Sequence, residues 1–228
     1  MFIYALLMLL LGSCLLISVV LLTRRLPRRY ALPYALLTVG IITYIISLLV
    51  QVLVLRVLRS PLLSILPVGA LTIGLLAGFA EELARFFGYQ YLARSAETKP
   101  QALMIGLGHG FSETIYTGLL ALGFGFSLLG YGTEHPDNLG VLLSGAIAEA
   151  ANGLLPIVMH LALSWLVLQV FLRGQVYWLF LAIFFHSLVE ITAVLLGPND
   201  AWSVVVWRAV VAIMSLFILT QIKDVNSA

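Results

Sequence analysis

The chain has 228 residues, 62% of them hydrophobic and only 10% charged, with a formal net charge of +2 and a mean hydropathy of +1.10. A soluble domain carries roughly a quarter charged residues, so the apolar surplus here has nowhere to go but lipid, and the chain reads as a polytopic membrane protein. The near-balanced charge offers no patch for nucleic acid, and the single cysteine, Cys14, excludes an intrachain disulfide.

The first apolar run, Met1 to Thr23, lacks a basic segment before it and is longer than a signal-peptide core, which predicts a retained helix. Leu11-Gly12-Ser13-Cys14 resembles a lipoprotein cleavage site, but the positive charge follows the run, as Arg24-Arg25-Leu26-Pro27-Arg28-Arg29, where a signal peptide needs it to precede. Apolar windows of about 20 residues place further helices near 33–55, 66–93, 101–122, 154–172, 177–196 and 202–222. One long connection, Gly123 to Gly153, holds a glycine-rich stretch with Glu134, His135 and Asp137, and then a shorter apolar helix ending near Glu149. The expected fold is all-α: a polytopic membrane bundle of about seven transmembrane helices forming one integral-membrane domain, 1–228. Within it, 1–60 supplies two N-terminal helices, 61–200 a catalytic core, and 201–228 a C-terminal helix and tail.

Basic residues set the expected orientation. An outside N-terminus puts Arg24, Arg25, Arg28, Arg29, Arg94, Lys99, Arg173 and Lys223 in the cytosol with the C-terminus, and only Arg56 and Arg59 outside. His135 then sits in a loop facing away from the cytosol, where a solvated histidine needs no special role. The expected location is a bacterial or archaeal cytoplasmic membrane.

Besides Arg208 in the last of them, eight ionisable residues interrupt these spans: Glu81, Glu82, Arg85, His109, Glu113, His160, His186 and Glu190. A charge at the bilayer centre costs about 2.5–3.5 kcal/mol even on a lenient scale, so such a set points to a functional site. At about 1.5 Å per residue from the cytosolic end of each helix, Glu81 lies about 20 Å deep, His109 about 12 Å, His160 about 20 Å and His186 about 17 Å. That shared level predicts one intramembrane cavity. Glu81 with Arg85, His109 with Glu113, and His186 with Glu190 are i, i+4 pairs, which gives each charge a local candidate partner. Arg85 reads as the counter-ion of Glu81 or Glu82, and Glu113 and Glu190 as residues that orient the histidines. Glu149 and Asn152 share a face with His160 if the helix continues, although Asn152-Gly153 and Pro156 predict a break there. Tyr89, Gln90, Tyr116 and Trp165 read as packing or interfacial residues.

A partly desolvated glutamate suits a general base for water, and histidines opposite it can stabilise an oxyanion or bind a metal. Zinc on His109, His160 and His186 is chemically available, though no HExxH-type signature is present.

Glu81-Glu82-Leu83-Ala84-Arg85, Gly106-Leu107-Gly108-His109-Gly110-Phe111-Ser112-Glu113, His160, and His186-Ser187-Leu188-Val189-Glu190 fall in order on successive spans. This series resembles that of the YhfC-type membrane peptidases, distant relatives of the type II CAAX prenyl endopeptidases and bacteriocin-processing enzymes. The resemblance runs from about Leu66 to Leu196. It implies an intramembrane peptidase in which Glu81 activates water, His109 and His186 assist proton transfer or hold the tetrahedral intermediate, and the substrate is a membrane-associated peptide or protein. Two departures stand out. The CAAX-type enzymes place three residues between the glutamate pair and the arginine, where this chain has two, and Glu190 stands where an oxyanion-binding asparagine is usual. An ionised glutamate cannot donate that hydrogen bond. The same buried acids and histidines would also serve a catalytically silent scaffold or a transporter with a proton relay.

Overall fold

The computed structural model describes residues 2–30, 32–58, 65–131, 139–197 and 201–223. These fold as α1 (Phe2–Tyr30), α2 (Tyr34–Leu58), α3 (Leu66–Phe87), a π-helical turn (Gly88–Leu92), α4 (Lys99–Tyr131), α5 (Leu139–Leu154), α6 (Pro156–Arg173), α7 (Tyr177–Leu196) and α8 (Ala201–Gln221), with no strand among the described residues. Among the described residues, seven segments are long and apolar enough to cross a membrane. Lipid supplies no hydrogen bonds, so the chain satisfies its backbone within helices. Arg59, Glu134, His135 and Asp137 lie outside the described residues.

The stretch from Gly123 to Gly153 is mostly helix rather than loop. α4 continues to Tyr131, and α5 occupies Leu139–Leu154. The fifth span joins α5 to α6 through a break at Leu155, where Pro156 supplies no amide proton. Protein satisfies the polar backbone at this break, because the Thr114 hydroxyl lies 2.6 Å from the Gly153 carbonyl.

α6 is the axis of the bundle, with Met159, Ala162, Leu163, Trp165 and Val167 fully buried. α4 packs on one side of it, α7 and α8 on the other; α3 lies along α7, α2 bridges α3 and α4, and α1 runs outside α4 and α5. α2 and α4 cross backbone to backbone. A Cβ on Gly40 would lie 2.0 Å from the Ile105 carbonyl oxygen, and one on Gly108 would lie 2.1 Å from that of Leu37. This approach seats His109, the residue after Gly108, against α2.

The crossing yields a stability prediction. Gly40→Ala and Gly108→Ala should each cost about 1–3 kcal/mol through overpacking, read as a lower unfolding midpoint in detergent. Gly123→Ala, whose Cβ meets nothing within 4 Å, should leave the midpoint unchanged or raise it.

Candidate active site

α3 carries both glutamates into the centre of the bundle, where Glu82, Arg85, His109 and His160 are 0% exposed and Glu81 only 8%. The local pairs expected from i, i+4 spacing are replaced, in most cases by contacts between helices. Arg85 does not pair with Glu81: its Nη1 pairs with Glu82 Oε2, three residues away, and its Nη2 lies 3.0 Å from His160 Nδ1 on α6. Glu113 does not orient His109: its Oε2 is 2.6 Å from His160 Nε2. Glu190 does not orient His186: it accepts from Arg208 on α8, at 2.7 Å from Nη1 and 3.4 Å from Nη2. His186 Nδ1 instead meets Glu82 Oε1 at 2.7 Å, and His109 Nε2 meets Glu81 Oε2 at 2.9 Å. The physical reason is radial. Side chains on the inward faces of α3, α4, α6 and α7 point at one another, so a partner across the cavity outcompetes one stacked along the same helix.

Hydrogen-bond chemistry assigns the tautomer of His160 and of His186. A guanidinium only donates, so His160 Nδ1 accepts from Arg85 and its Nε2–H donates to Glu113; both ring nitrogens are committed. The Thr43 hydroxyl lies 2.8 Å from the Gly40 carbonyl and 3.0 Å from His109 Nδ1, and the 2.9 Å contact between His109 Nε2 and Glu81 Oε2 is a hydrogen bond whose proton belongs to one of the two. Glu82, paired with Arg85, is an acceptor for His186 Nδ1–H, which leaves His186 Nε2 3.7 Å from Glu81 Oε2. His109 Nε2 and His186 Nε2 thus both face Glu81 Oε2, at 2.9 and 3.7 Å.

Glu81, His109 and His160 each offer a ligand atom, all within 4.8 Å of one another, a cluster compatible with a metal. Distance groups His160 with the ligands, whereas bonding capacity does not, because its lone pair is occupied by Arg85. Bonding capacity decides, since a metal needs an available lone pair.

Three contributors carry no signature in the sequence series. Gln51 donates from Nε2 to Glu81 Oε1 at 3.1 Å, Thr43 holds His109, and Arg208 holds Glu190. Arg208 Nε also donates to Asn152 Oδ1 at 3.1 Å, while Glu149 lines a separate hollow with Met8, Leu120 and Phe124. The signals were faint: Gln51 is the lone amide in an apolar run, and Arg208 has no acid within a turn of it. Tyr89, expected to serve as packing, is buried and bonded through its hydroxyl to Ser164 Oγ at 2.7 Å.

Residues 13–124, just under half of the chain, match the family model described as YhfC intramembrane metalloprotease. That span contains Glu81, Glu82, Arg85, His109 and Glu113; His160 and His186 join them through geometry. No curated protein and no solved structure matches the chain.

The Glu190–Arg208 pair gives a second stability test. Removing one partner of a buried ion pair costs about 3–5 kcal/mol, whereas removing both is often neutral. Arg208→Met should therefore lower stability by about that amount, and Arg208→Met with Glu190→Gln should recover most of it, as measured by a double-mutant unfolding cycle in detergent.

Proposed function

We propose that the chain is an intramembrane endopeptidase that hydrolyses a peptide bond of a membrane-associated substrate with water activated by Glu81. The observation that carries this reading is the Glu81 carboxylate, which lines a cavity of about 330 Å³ together with His186 and is bonded from behind by the buried His109. The family match supports the reaction class. The seven apolar spans support an integral membrane protein, for which we propose the bacterial or archaeal cytoplasmic membrane with the N-terminus outside.

Glu81 faces the cavity and takes a proton from the attacking water. The hydroxyl adds to the scissile carbonyl carbon, and the same proton passes to the leaving amine as the C–N bond breaks. Gln51 holds the second oxygen of that carboxylate, so Oε2 points at the reacting water. Glu82 acts through its neighbours: it fixes the His186 ring with one oxygen and Arg85 with the other. His186 offers Nε2 to the cavity, where it exchanges protons with Glu81 across 3.7 Å. His160 is a positioning residue, a strut between Arg85 and Glu113. A divalent metal such as zinc would be held by Glu81, His109 Nε2 and His186 Nε2, where it would polarise the carbonyl as a Lewis acid and acidify water. Thr43 and Glu82 would then serve as the outer partners that fix each ligand's tautomer.

Glu81→Gln should lower turnover by at least about 10²–10⁴-fold, the contribution of a positioned general base, while the protein remains folded. The readout is the set of new N-termini on membrane proteins in cells carrying wild type or variant. Unchanged N-termini with the Glu81→Gln, Glu82→Gln double variant would end the peptidase reading. Metal analysis of purified protein separates the histidines: about one equivalent of divalent metal, lost in His109→Ala and in His186→Ala and retained in His160→Gln, is the expected pattern.

A further inference from the structure

The cavity above Glu81 extends in one direction. On each of the four helices that line it, the lining residues run from the site toward the same end of the bundle. On α3 they step back from Glu81 through Ala77 to Ile73, about 12 Å at helical rise, and on α4 they climb from Glu113 to Thr117. On α7 they pass from His186 to Glu190, and on α2 from Tyr44 to Leu55. That end carries the junction between α2 and α3.

The opposite direction is plugged. Beneath the glutamates lie Arg85 with His160, then the buried Tyr89 ring with its hydroxyl on Ser164, whose own hydroxyl donates to the Ala102 carbonyl at 2.8 Å. A second hollow of about 300 Å³ at that end, bounded by Arg94 and Phe171, stops at Tyr89 and shares no lining residue with the cavity. The basic residues gather at the plugged end. There Arg173 Nη2 donates to the Lys223 carbonyl at 3.1 Å, and Lys99 Nζ donates to the Leu219 carbonyl. By the positive-inside rule the plugged end is cytosolic.

The open wall is apolar where it approaches lipid. Leu48, Val52 and Leu55 fall on one face of α2, and Val52 and Ile73 are exposed. Such a wall takes apolar side chains, while Glu113 and Glu190 on the facing helices disfavour acidic ones.

We infer that Glu81 is reached only from the extracytoplasmic end of the bundle, by an apolar peptide segment laid against the Leu48–Val52–Leu55 face of α2. This inference rests on the cavity being the peptidase site, and its test reads access without turnover, so it stands or falls separately from the activity of Glu81→Gln.

The experiment uses the full chain with Cys14→Ser and single cysteines at Val52 and Ile73 in the cavity. Val57→Cys marks the open end, and Glu97→Cys and Phe171→Cys mark the plugged end. A membrane-impermeant cationic thiol reagent is applied to intact cells and to inverted vesicles. The expected result is labelling of Val52→Cys and Ile73→Cys from the same side as Val57→Cys, with none from the side that labels Glu97→Cys. A leucine- and alanine-rich transmembrane peptide of about 20 residues, co-reconstituted, should slow labelling at Val52→Cys and leave Val57→Cys unaffected. Labelling of the cavity cysteines from the Glu97 side, or equally from both, would overturn the sidedness. Failure of the peptide to protect Val52→Cys would overturn the substrate assignment.

Discussion

One ion pair organises the centre of this membrane protein. Glu82 and Arg85 lie a turn apart on α3, both fully buried, where an unpaired charge costs several kcal/mol. Each keeps one arm free after pairing. The second oxygen of Glu82 holds His186 on α7, and the second guanidinium nitrogen of Arg85 holds His160 on α6, which is held in turn by Glu113 on α4. Four helices are thereby tied through polar contacts at the centre of the bundle. Between them Glu81 is left with no cationic side chain bonded to it, meeting only Gln51 and the imidazoles of His109 and His186. The pair that makes Glu82 structural is what leaves its neighbour available for chemistry.

Much of this was legible in the sequence, because lipid simplifies the reading. Hydropathy marks spans wherever about 20 apolar residues run together, and the seven segments fall within a few residues of their expected limits apart from α4 and the join of α5 to α6. Those two exceptions share a cause. Glycines at 123, 125 and 153 read as turn signals in a soluble context, yet in a membrane the backbone stays helical unless protein satisfies it, as Thr114 does beside Pro156. Depth arithmetic likewise brought Glu81, His109, His160 and His186 to one level, and they do meet.

The partners were not legible. Spacing at i, i+4 reports only which side chains share a face, and here each such pair gives way to other partners, on another helix for the histidines and Glu190 and one position nearer on the same helix for Arg85. Glu113 shows the point: one turn from His109 in sequence, it bonds His160 across the bundle. Gln51 and Thr43 look like ordinary polar residues in an apolar helix until α2 is seen crossing α4 at Gly40 and Gly108, which places Thr43 against His109. Arg208 alone carried a hint, since an arginine within a span and without a local acid must find its partner elsewhere. The departure at Glu190 also resolves. Its carboxylate is engaged by Arg208, so it braces α8 against α7, and the donor that an asparagine would supply is not replaced there.

The proposed centre depends on which ring nitrogen of His160 and of His186 is protonated, an assignment made by what surrounds them. Nitrogen-15 NMR of the histidine-labelled protein in detergent or bilayer reads that assignment directly, ring by ring. His186 should carry its proton on Nδ1 and present Nε2 to the cavity, while His160 carries its proton on Nε2. A proton on Nδ1 of His160, or a His186 ring protonated on Nε2 alone, would mean that Arg85 and Glu82 do not orient these rings, and the proposed centre would lose its basis.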